Sequence, residues 1–418
     1  MARNFLYLFI NFTPSVAAPE LVYRPLPKNP LDVPEIRSNT FGFLPRTSLT
    51  SLTLVSHEFY STAREHLAKR LNIRERDRTA LWEFFRANRA PDTIPRATTA
   101  IIDLALDPGE IVAALMFSCT DNIDFVEFLS TSKQIPGWSL EMADQILPTL
   151  VYHLPHATKF VVYALSTRLQ FELIRSGSSR LTSLELHSPL QISTRYATPV
   201  IDLPELLSLH LIHATSYTNG TDFLVRTAVR FTAPKLATLT VGNGLTGSGH
   251  TIQELVRHFA PRLTKLILVD NRASCHNDEI ARLPPLPHLR HLEVDMMWAS
   301  AYVGGLANPN APDFPSLHTL VFQATPESVV KGLPGCRWSK IWSGLNAVAD
   351  CLQLIECAYR AHDCTIRDSF RLLVQDHLLK VAPQNPLRGP WTIRESFRDP
   401  LPSSPYLDED SSAWGHDD

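Results

Sequence analysis

The 418-residue chain lacks several features that would define its chemistry directly. Its six cysteines form neither a Cys-x-x-Cys pair nor a zinc-like spacing, which is typical of thiols in a reducing compartment. A disulfide between two of the last four cysteines stays an open alternative. The formal net charge is −3, without the clustered basic residues that nucleic-acid binding requires, so we expect no nucleic-acid partner. No apolar run is long enough to span a membrane.

Motifs of catalytic and cofactor sites are equally scarce. Neither Gly-x-Ser-x-Gly nor His-Glu-x-x-His occurs, and the cysteines lack a positioned base. We therefore expect that the chain is not an enzyme and that it needs no cofactor.

What the chain does contain is a short pattern that returns six times between Leu181 and Phe322. Each copy is a leucine, two residues, an aliphatic residue, one residue and another apolar residue. The copies begin at Leu181, Leu206, Leu236, Leu263, Leu289 and Leu317, spaced 25, 30, 27, 26 and 28 residues apart. This period predicts an α/β, leucine-rich-repeat-like solenoid, in which each unit buries its leucines against the next. Because solenoids present extended surfaces, binding is the expected function.

Proline marks the entry to these predicted strands. The chain has 32 prolines and 16 glycines. Several prolines stand just before a repeat strand: Pro204, Pro234, Pro287 and Pro315. Proline lacks a backbone donor and rarely sits inside a central strand, so it is well placed at these entries.

Composition and periodicity divide the chain into six segments. The segments are a flexible leader at 1–30, short helices at 31–73, a helical connector at 74–155, the solenoid at 156–325, a helical closing segment at 326–382 and a disordered acidic tail at 383–418. The segment at 74–155 can also be interpreted as degenerate first repeats of the solenoid. Within them, Ala97–Leu104 and Ala157–Val162 read as imperfect strands. Residues 338–359 read as one helix, with Leu352 and Ile355 on its apolar face.

The leader leaves the location of the protein open. Residues 5–12 are apolar and Ser15–Ala18 resembles a signal-peptidase site, which favours secretion if residues 1–18 form a signal peptide. Asn11 interrupts the apolar run and Pro19 disfavours cleavage, which favours a cytoplasmic or nuclear protein instead.

Residues 31–59 resemble an F-box. The family's opening is seen in Leu31-Asp-Val-Pro-Glu-Ile36, its midpoint in Phe41-Gly-Phe-Leu-Pro45, and its close in Leu49-Thr-Ser-Leu-Thr-Leu-Val-Ser-His-Glu-Phe59. Ser56 is the expected N-cap of the third helix. The match departs from the family at Arg37, Asn39 and Thr40, where at least one large aliphatic residue is usual.

The resemblance implies an F-box protein with a C-terminal repeat domain. Such a protein is the substrate-recognition subunit of a Skp–cullin–F-box ubiquitin ligase: the three-helix domain binds the Skp adaptor and the repeats bind the substrate protein. Carried over by position, the adaptor contacts are Pro34, Ile36, Leu44, Pro45, Leu49, Leu52, Val55 and Phe59. One alternative for these residues is that they form only the core of a small helical cap on the solenoid. The corresponding alternative for the chain is a repeat interaction module without a ligase role.

The substrate is expected on the concave face of the repeats. If each strand alternates, the residues between the leucines line that face. The predicted substrate-binding residues are Glu185, His187, His210, Thr240, Lys265, His291, Glu293 and Asp295. The first three side chains could also bind a metal ion, but a polar binding face is the favoured explanation, and we expect no metal site.

One motif favours a different function. Gly242-Asn-Gly-Leu-Thr-Gly247 is a GxGxxG sequence that follows a predicted strand, and Asp270 ends the next strand, as in a dinucleotide-binding fold. However, residues 248–251 separate the glycines from the following helix, so its positive end would not meet a phosphate. A nucleotide-binding enzyme therefore stays the weaker alternative.

Overall fold

Two units, Met1–Ala68 and Lys69–Asp418, make up the chain in the computed structural model. The structure describes residues 31, 33–42, 46–74, 78–79, 82, 97–116, 118, 120–129, 140–163, 165, 167–187, 200–212, 227–242, 249–269, 283–295, 302–303, 306, 314–324, 338–348, 351–359 and 392–397. The leader predicted at 1–30 and the acidic residues predicted to form a tail after 400 lie outside this set.

The first unit, called the helical unit below, consists of three short helices. They are α1 (Pro34–Gly42), α2 (Arg46–Leu52) and α3 (His57–Ala68). Pro34 opens α1, where its missing N–H has no helical partner to lose. The backbone N–H of Phe59 donates to Ser56 Oγ at 3.2 Å, which confirms Ser56 as the cap of α3. Three buried residues, Phe41, Leu49 and Ala63, form the core of this unit.

The second unit, called the repeat unit, is built on parallel strands that follow one another along the chain. Its strands are β1 (Arg70–Ile73), β2 (Thr99–Asp103), β3 (Phe125–Leu129), β4 (Lys159–Val162), β5 (Ser183–His187), β6 (Ile201–Asp202), β7 (Ser208–Ile212), β8 (Phe231–Thr232), β9 (Thr238–Gly242), β10 (Lys265–Val269), β11 (His291–Asp295), β12 (Thr319–Ala324), β13 (Leu354–Tyr359) and β14 (Thr392–Phe397). Among the described residues, 12 of these strands form a single sheet in sequence order, and β6 pairs only with β8. The fold class is thus α/β with a large parallel sheet, which is compatible with a repeat solenoid.

Helices lie in the return segments between these strands, as parallel pairing requires. They are α4 (Pro108–Met116), α5 (Leu140–Tyr152), α6 (Thr167–Gly177), α7 (Gly249–Phe259) and α8 (Trp338–Ala347), and a 3₁₀ turn spans Ala260–Arg262.

The repeated apolar positions form the core of the repeat unit. In all six copies the leucine, the aliphatic residue and the last apolar residue are buried, with exposures from 0% at Leu181 to 5% at Leu268. Each buried side chain removes apolar surface from water, and a large aliphatic residue contributes about 1.5–3 kcal/mol in this way. The predicted burial of the leucine pattern is confirmed.

A proline turn leads into most of the repeat strands. The N–H of Leu236 donates to the Ala233 carbonyl at 3.2 Å, which encloses Pro234 as the second residue of the turn. Proline is favoured at this position because its fixed φ matches the turn. The same hydrogen bond encloses Pro204, Pro261, Pro287 and Pro315 in their repeats.

One carbonyl per repeat sets the register of the next strand. The Thr158 carbonyl accepts hydrogen bonds from both Thr182 N, at 2.8 Å, and Ser183 N, at 3.2 Å. The arrangement continues along the sheet as far as the His318 carbonyl, which accepts from Gln353 N and Leu354 N. Successive repeats are therefore tied together at the same backbone position.

The sheet is longer than the sequence pattern predicts. Strand β2 coincides with the imperfect strand expected at Ala97–Leu104, β3 lies elsewhere in the segment predicted as a connector, and β1 lies inside the segment predicted as F-box-like. The single helix predicted over residues 338–359 is wrong: α8 ends at Ala347, and Leu354–Tyr359 is a strand. The segment predicted as a disordered tail contains β14.

Candidate functional site

The helical unit exposes a group of large apolar residues. Val55 is 62% exposed and Leu54 is 88% exposed, both in the turn between α2 and α3. Ile36 on α1 and Tyr60 on α3 are 45% and 42% exposed. We call these four residues, which share their exposure, the apolar patch. Large apolar side chains left in water are candidates for burial against a partner.

The predicted adaptor contacts divide between the surface and the core of the helical unit. Pro34, Ile36 and Val55 are exposed, as a contact residue must be. Leu49 is buried, and Leu52 and Phe59 pack against the core. The three latter residues therefore hold the unit together. The remaining two, Leu44 and Pro45, lie outside the described residues.

Arg37 belongs to the interior of this unit. It is 7% exposed, forms a 2.8 Å ion pair with Glu58, and lies 5.7 Å from the centre of the Phe59 ring. Phe59 in turn meets Phe41 edge-to-face at 5.5 Å. The departure from the F-box pattern at Arg37 is therefore accommodated inside the unit, and the exposed side of α1 still carries Ile36.

In several strands of the repeat unit, the first and third residues are more exposed than the apolar residues between them. On β5, Leu184 and Leu186 are buried, whereas Ser183 and Glu185 are partly exposed. Strands β2, β3 and β9 repeat the same alternation. We call this surface the strand face. It is the surface on which the sequence predicts substrate binding.

Three of the predicted residues on the strand face lie together. His187 Nε2 donates to Glu185 Oε1 at 2.8 Å, and Glu185 lies opposite His210 in the parallel ladder. The His187 ring also stacks on Tyr163, with 4.3 Å between ring centres. His210 shares a 2.7 Å hydrogen bond with Ser208 Oγ. This is the grouping of Glu185, His187 and His210 that the strand register predicts.

Burial and two neighbouring charges determine the pKa of His210 on this face. Burial lowers the pKa of His210, since it penalises the charged imidazolium; the negative charge of Glu185 raises that pKa and the positive charge of Lys265 lowers it further. The next residue in the register, Thr240, lies beside His210. At neutral pH His210 is therefore a neutral hydrogen-bonding group at the surface.

The other end of the predicted substrate surface needs correction. Lys265 and His291 are register neighbours and partly exposed, as predicted. Glu293 and Asp295 are both 0% exposed, so they do not form an accessible charged patch. His291 Nε2 lies 3.4 Å from Glu293 Oε2, which links the accessible imidazole to the buried carboxylate.

The structure describes the residues of the alternative metal site and only part of the nucleotide-binding loop. Within the described part of the chain, no group of three His, Cys, Asp or Glu side chains is placed to hold a metal ion. Gly242 is an ordinary buried strand residue that pairs with Ile212 and Val269. The rest of the GxGxxG loop and Asp270 lie outside the described residues. The helix after the loop, α7, begins at Gly249, so the expected separation by residues 248–251 is wrong, and one residue separates Gly247 from the helix. None of the described helices is long and apolar enough to cross a membrane.

Sequence reasoning missed Leu54 and Tyr60 as surface residues. Leu54 stands among the spaced leucines of the F-box-like close, so its pattern does not distinguish it from the buried Leu49. Its position after the end of α2 places it on the turn, where no neighbouring helix covers it.

Comparison with known proteins gives matches among solved structures alone. No family model matches the chain, and no curated protein matches it. Among solved structures, the chain is similar to one from the crystal structure of the Rad7 and Elc1 complex in yeast, with 13% identity, a TM-score of 0.34, and 88% of this chain and 89% of that chain covered. A likeness at this level decides neither fold nor function.

Proposed function

We propose that the chain is the substrate-recognition subunit of a Skp–cullin–F-box ubiquitin ligase. The helical unit binds the Skp adaptor, and the repeat unit binds the protein to be ubiquitinated. The observation that carries the proposal is the apolar patch, which the F-box-like segment leaves exposed at Ile36, Leu54, Val55 and Tyr60.

The size of the helical unit explains why this patch favours a partner. Among the described residues, its core contains three buried side chains, with Leu52 and Phe59 packed against them. An exposed apolar side chain gains about 1.5–3 kcal/mol when it is fully buried. Covering the patch with an adaptor therefore adds apolar burial comparable with that of the unit's own core, which makes adaptor docking favourable.

In this proposal the substrate binds the accessible part of the strand face. That part contains Glu185, His210, Thr240, Lys265 and His291, which combine hydrogen-bonding groups with charges of both signs. Burial removes Glu293 and Asp295 from it, and His187 at 6% exposure supports Glu185 rather than a partner. The chain supplies proximity, not catalysis: it holds a substrate lysine at high effective concentration near the charged conjugating enzyme.

The test compares the binding of the full chain to purified Skp adaptor before and after a double substitution, Ile36→Asp plus Val55→Asp. Both residues are exposed, so the variant is expected to keep its helical content while it loses adaptor binding by a factor of about 100 or more, since two apolar contacts worth about 1.5–3 kcal/mol each are removed.

The matched control is Val200→Asp, because Val200 is 63% exposed and lies in the repeat unit. The control should bind the adaptor like the wild type. Adaptor binding that survives in the double variant, or that is absent from a folded wild type, contradicts the proposal and leaves a repeat interaction module.

A further inference from the structure

A cavity of about 420 Å³ opens at the edge of the sheet where β10, β11 and β12 begin. We call it the turn-edge pocket. It is lined by Pro261, Arg262, Thr264, His288, Arg290 and Ser316. No carboxylate lines it.

The proline turns place these side chains at the same height in successive repeats. Arg262, His288 and Ser316 each follow the proline of their turn, directly before the first leucine of the repeat. Thr264 and Arg290 each follow that leucine, and the N–H of Arg290 donates to the Thr264 carbonyl at 2.8 Å. Because adjacent strands lie about 4.8 Å apart, the side chains at these positions are neighbours.

Two lysines at this edge are neutralised in the earlier repeats. Lys235, which follows the proline of the β9 turn, forms a 2.6 Å ion pair with Glu205 of the turn before it. Lys159, at the start of β4, forms a 2.8 Å ion pair with Asp124. Arg180, which directly precedes Leu181, donates to the Ala157 and Val151 carbonyls instead.

In the turn-edge pocket, neither arginine forms an ion pair with a carboxylate of the described residues. Arg262 donates to the Pro234 carbonyl, a neutral acceptor. In the part of the chain that the structure describes, the Arg290 guanidinium and the His288 imidazole have no hydrogen-bond or ion-pair partner. The two hydroxyls are already engaged, since Thr264 Oγ1 donates to the Ala237 carbonyl at 3.1 Å and Ser316 Oγ donates to the Pro287 carbonyl at 2.9 Å. The donors that remain for a ligand are cationic or imidazole N–H groups.

We propose that the turn-edge pocket binds a phosphate monoester. A guanidinium matches two oxygens of a phosphate with two parallel N–H donors, and Arg290 has all of its donors available. A phosphate monoester carries a charge of about −1.5 to −2 near neutral pH, so it balances the two guanidinium groups, which a single carboxylate does not. The site is distinct from the apolar patch and does not depend on adaptor binding.

The experiment titrates the full chain with inorganic phosphate by calorimetry, at constant ionic strength set with chloride. We expect Arg290→Gln to weaken phosphate binding about tenfold or more, because it removes the charge-assisted hydrogen bonds of the guanidinium. The matched control is Arg257→Gln, because Arg257 is an exposed arginine on α7 outside the pocket. This control should bind phosphate like the wild type.

A second arm identifies the source of the phosphate. A phosphoserine peptide that binds more tightly than inorganic phosphate, and loses that binding in Arg290→Gln, points to a phosphorylated side chain of a partner. Equal affinities that both fall in Arg290→Gln point to a free phosphate compound. Phosphate binding that is absent from the wild type, or equal in the wild type and Arg290→Gln, overturns the proposal.

Discussion

The helical unit and the repeat unit treat their apolar residues in opposite ways. The helical unit buries three residues in its core, whereas the repeat unit buries every leucine of its repeated pattern. Among the described residues, four of the eight large apolar side chains that are exposed lie in the much shorter helical unit. The difference indicates that the repeat unit is stabilised by its own packing, whereas the helical unit leaves apolar surface exposed, which the proposed function assigns to the adaptor.

Chain length is the physical cause of this contrast. A short segment has a high ratio of surface to volume, so it buries a smaller share of its apolar surface than a longer one. The repeat unit avoids this limit because each added repeat covers the leucines of the one before it. Four predictions, each based on a pair of substitutions, test the contrast.

The largest effect is expected from truncating the same residue type in both units. Leu209→Ala removes a 0% exposed leucine from the centre of the repeat unit and should cost about 2–5 kcal/mol of unfolding free energy. Leu54→Ala, at an 88% exposed position of the helical unit, should change the unfolding free energy by no more than about 0.5 kcal/mol. Urea denaturation measures both. Equal costs would abolish the distinction between the units.

A glycine tests how densely the repeat unit is packed. A Cβ on Gly177 would lie 2.7 Å from Cε2 of Phe160, a ring that is 1% exposed and meets Phe128 edge-to-face at 5.2 Å. Gly177→Ala should therefore destabilise the protein by about 1–3 kcal/mol through overpacking. Gly109→Ala is the control, because Gly109 is exposed and its Cβ would lie 3.0 Å from the Asp107 side chain. A stabilised Gly177→Ala protein in thermal denaturation would show that this core has room to adjust.

Proline substitutions should affect both units alike. Pro234→Ala in a turn of the repeat unit and Pro34→Ala at the start of α1 each make the unfolded chain more flexible, and each should cost about 0.4–1 kcal/mol. The effect arises in the unfolded state, so packing density does not enter it. Segment-resolved hydrogen exchange measures the two units separately. A cost above about 2 kcal/mol for Pro234→Ala would reveal a packing role for that ring.

The smallest effect is a pH dependence in the repeat unit. Because burial lowers the pKa of folded His210, the unfolded chain takes up the proton first as the pH falls below the ordinary histidine value of about 6.5. Stability is then complete above that pH and decreases on acidification. His210→Gln should reduce the fall in Tm between about pH 7.5 and about pH 5.5. His57→Gln, on the exposed first turn of α3, is the control, and an unchanged fall in His210→Gln would remove His210 as its source.

The central repeats were predictable because their leucines recur at fixed offsets, but the outer repeats were not. Ile123, Val126 and Phe128 occupy the same three offsets and are all 0% exposed, yet they include only one aliphatic residue beyond the first. Near the other end, Leu352 follows Val348 by four residues and precedes Ile355 by three. This spacing matches a helix face as well as it matches a repeat, so the sequence pattern favoured the wrong structure there.

The residue types of the candidate sites could be predicted from the sequence, but the solvent exposure of those residues could be predicted only in part. Period-two alternation places Glu185 and His210 on the strand face, and the register makes them neighbours. Alternation carries no information about what covers a strand end, so the burial of Asp295 could not be inferred. In the helical unit, the F-box resemblance supplies residue types, while only the packing separates the buried Leu49 from the exposed Val55.

The shared carbonyl at the start of each strand has a consequence for how such a chain changes. The Thr158 carbonyl fixes the position at which the next strand begins. The return segment between the two strands takes no part in these hydrogen bonds. A return segment can therefore gain or lose residues without shifting any strand pair. New loops can be inserted one repeat at a time, and the sheet retains its register while the surface around it diversifies.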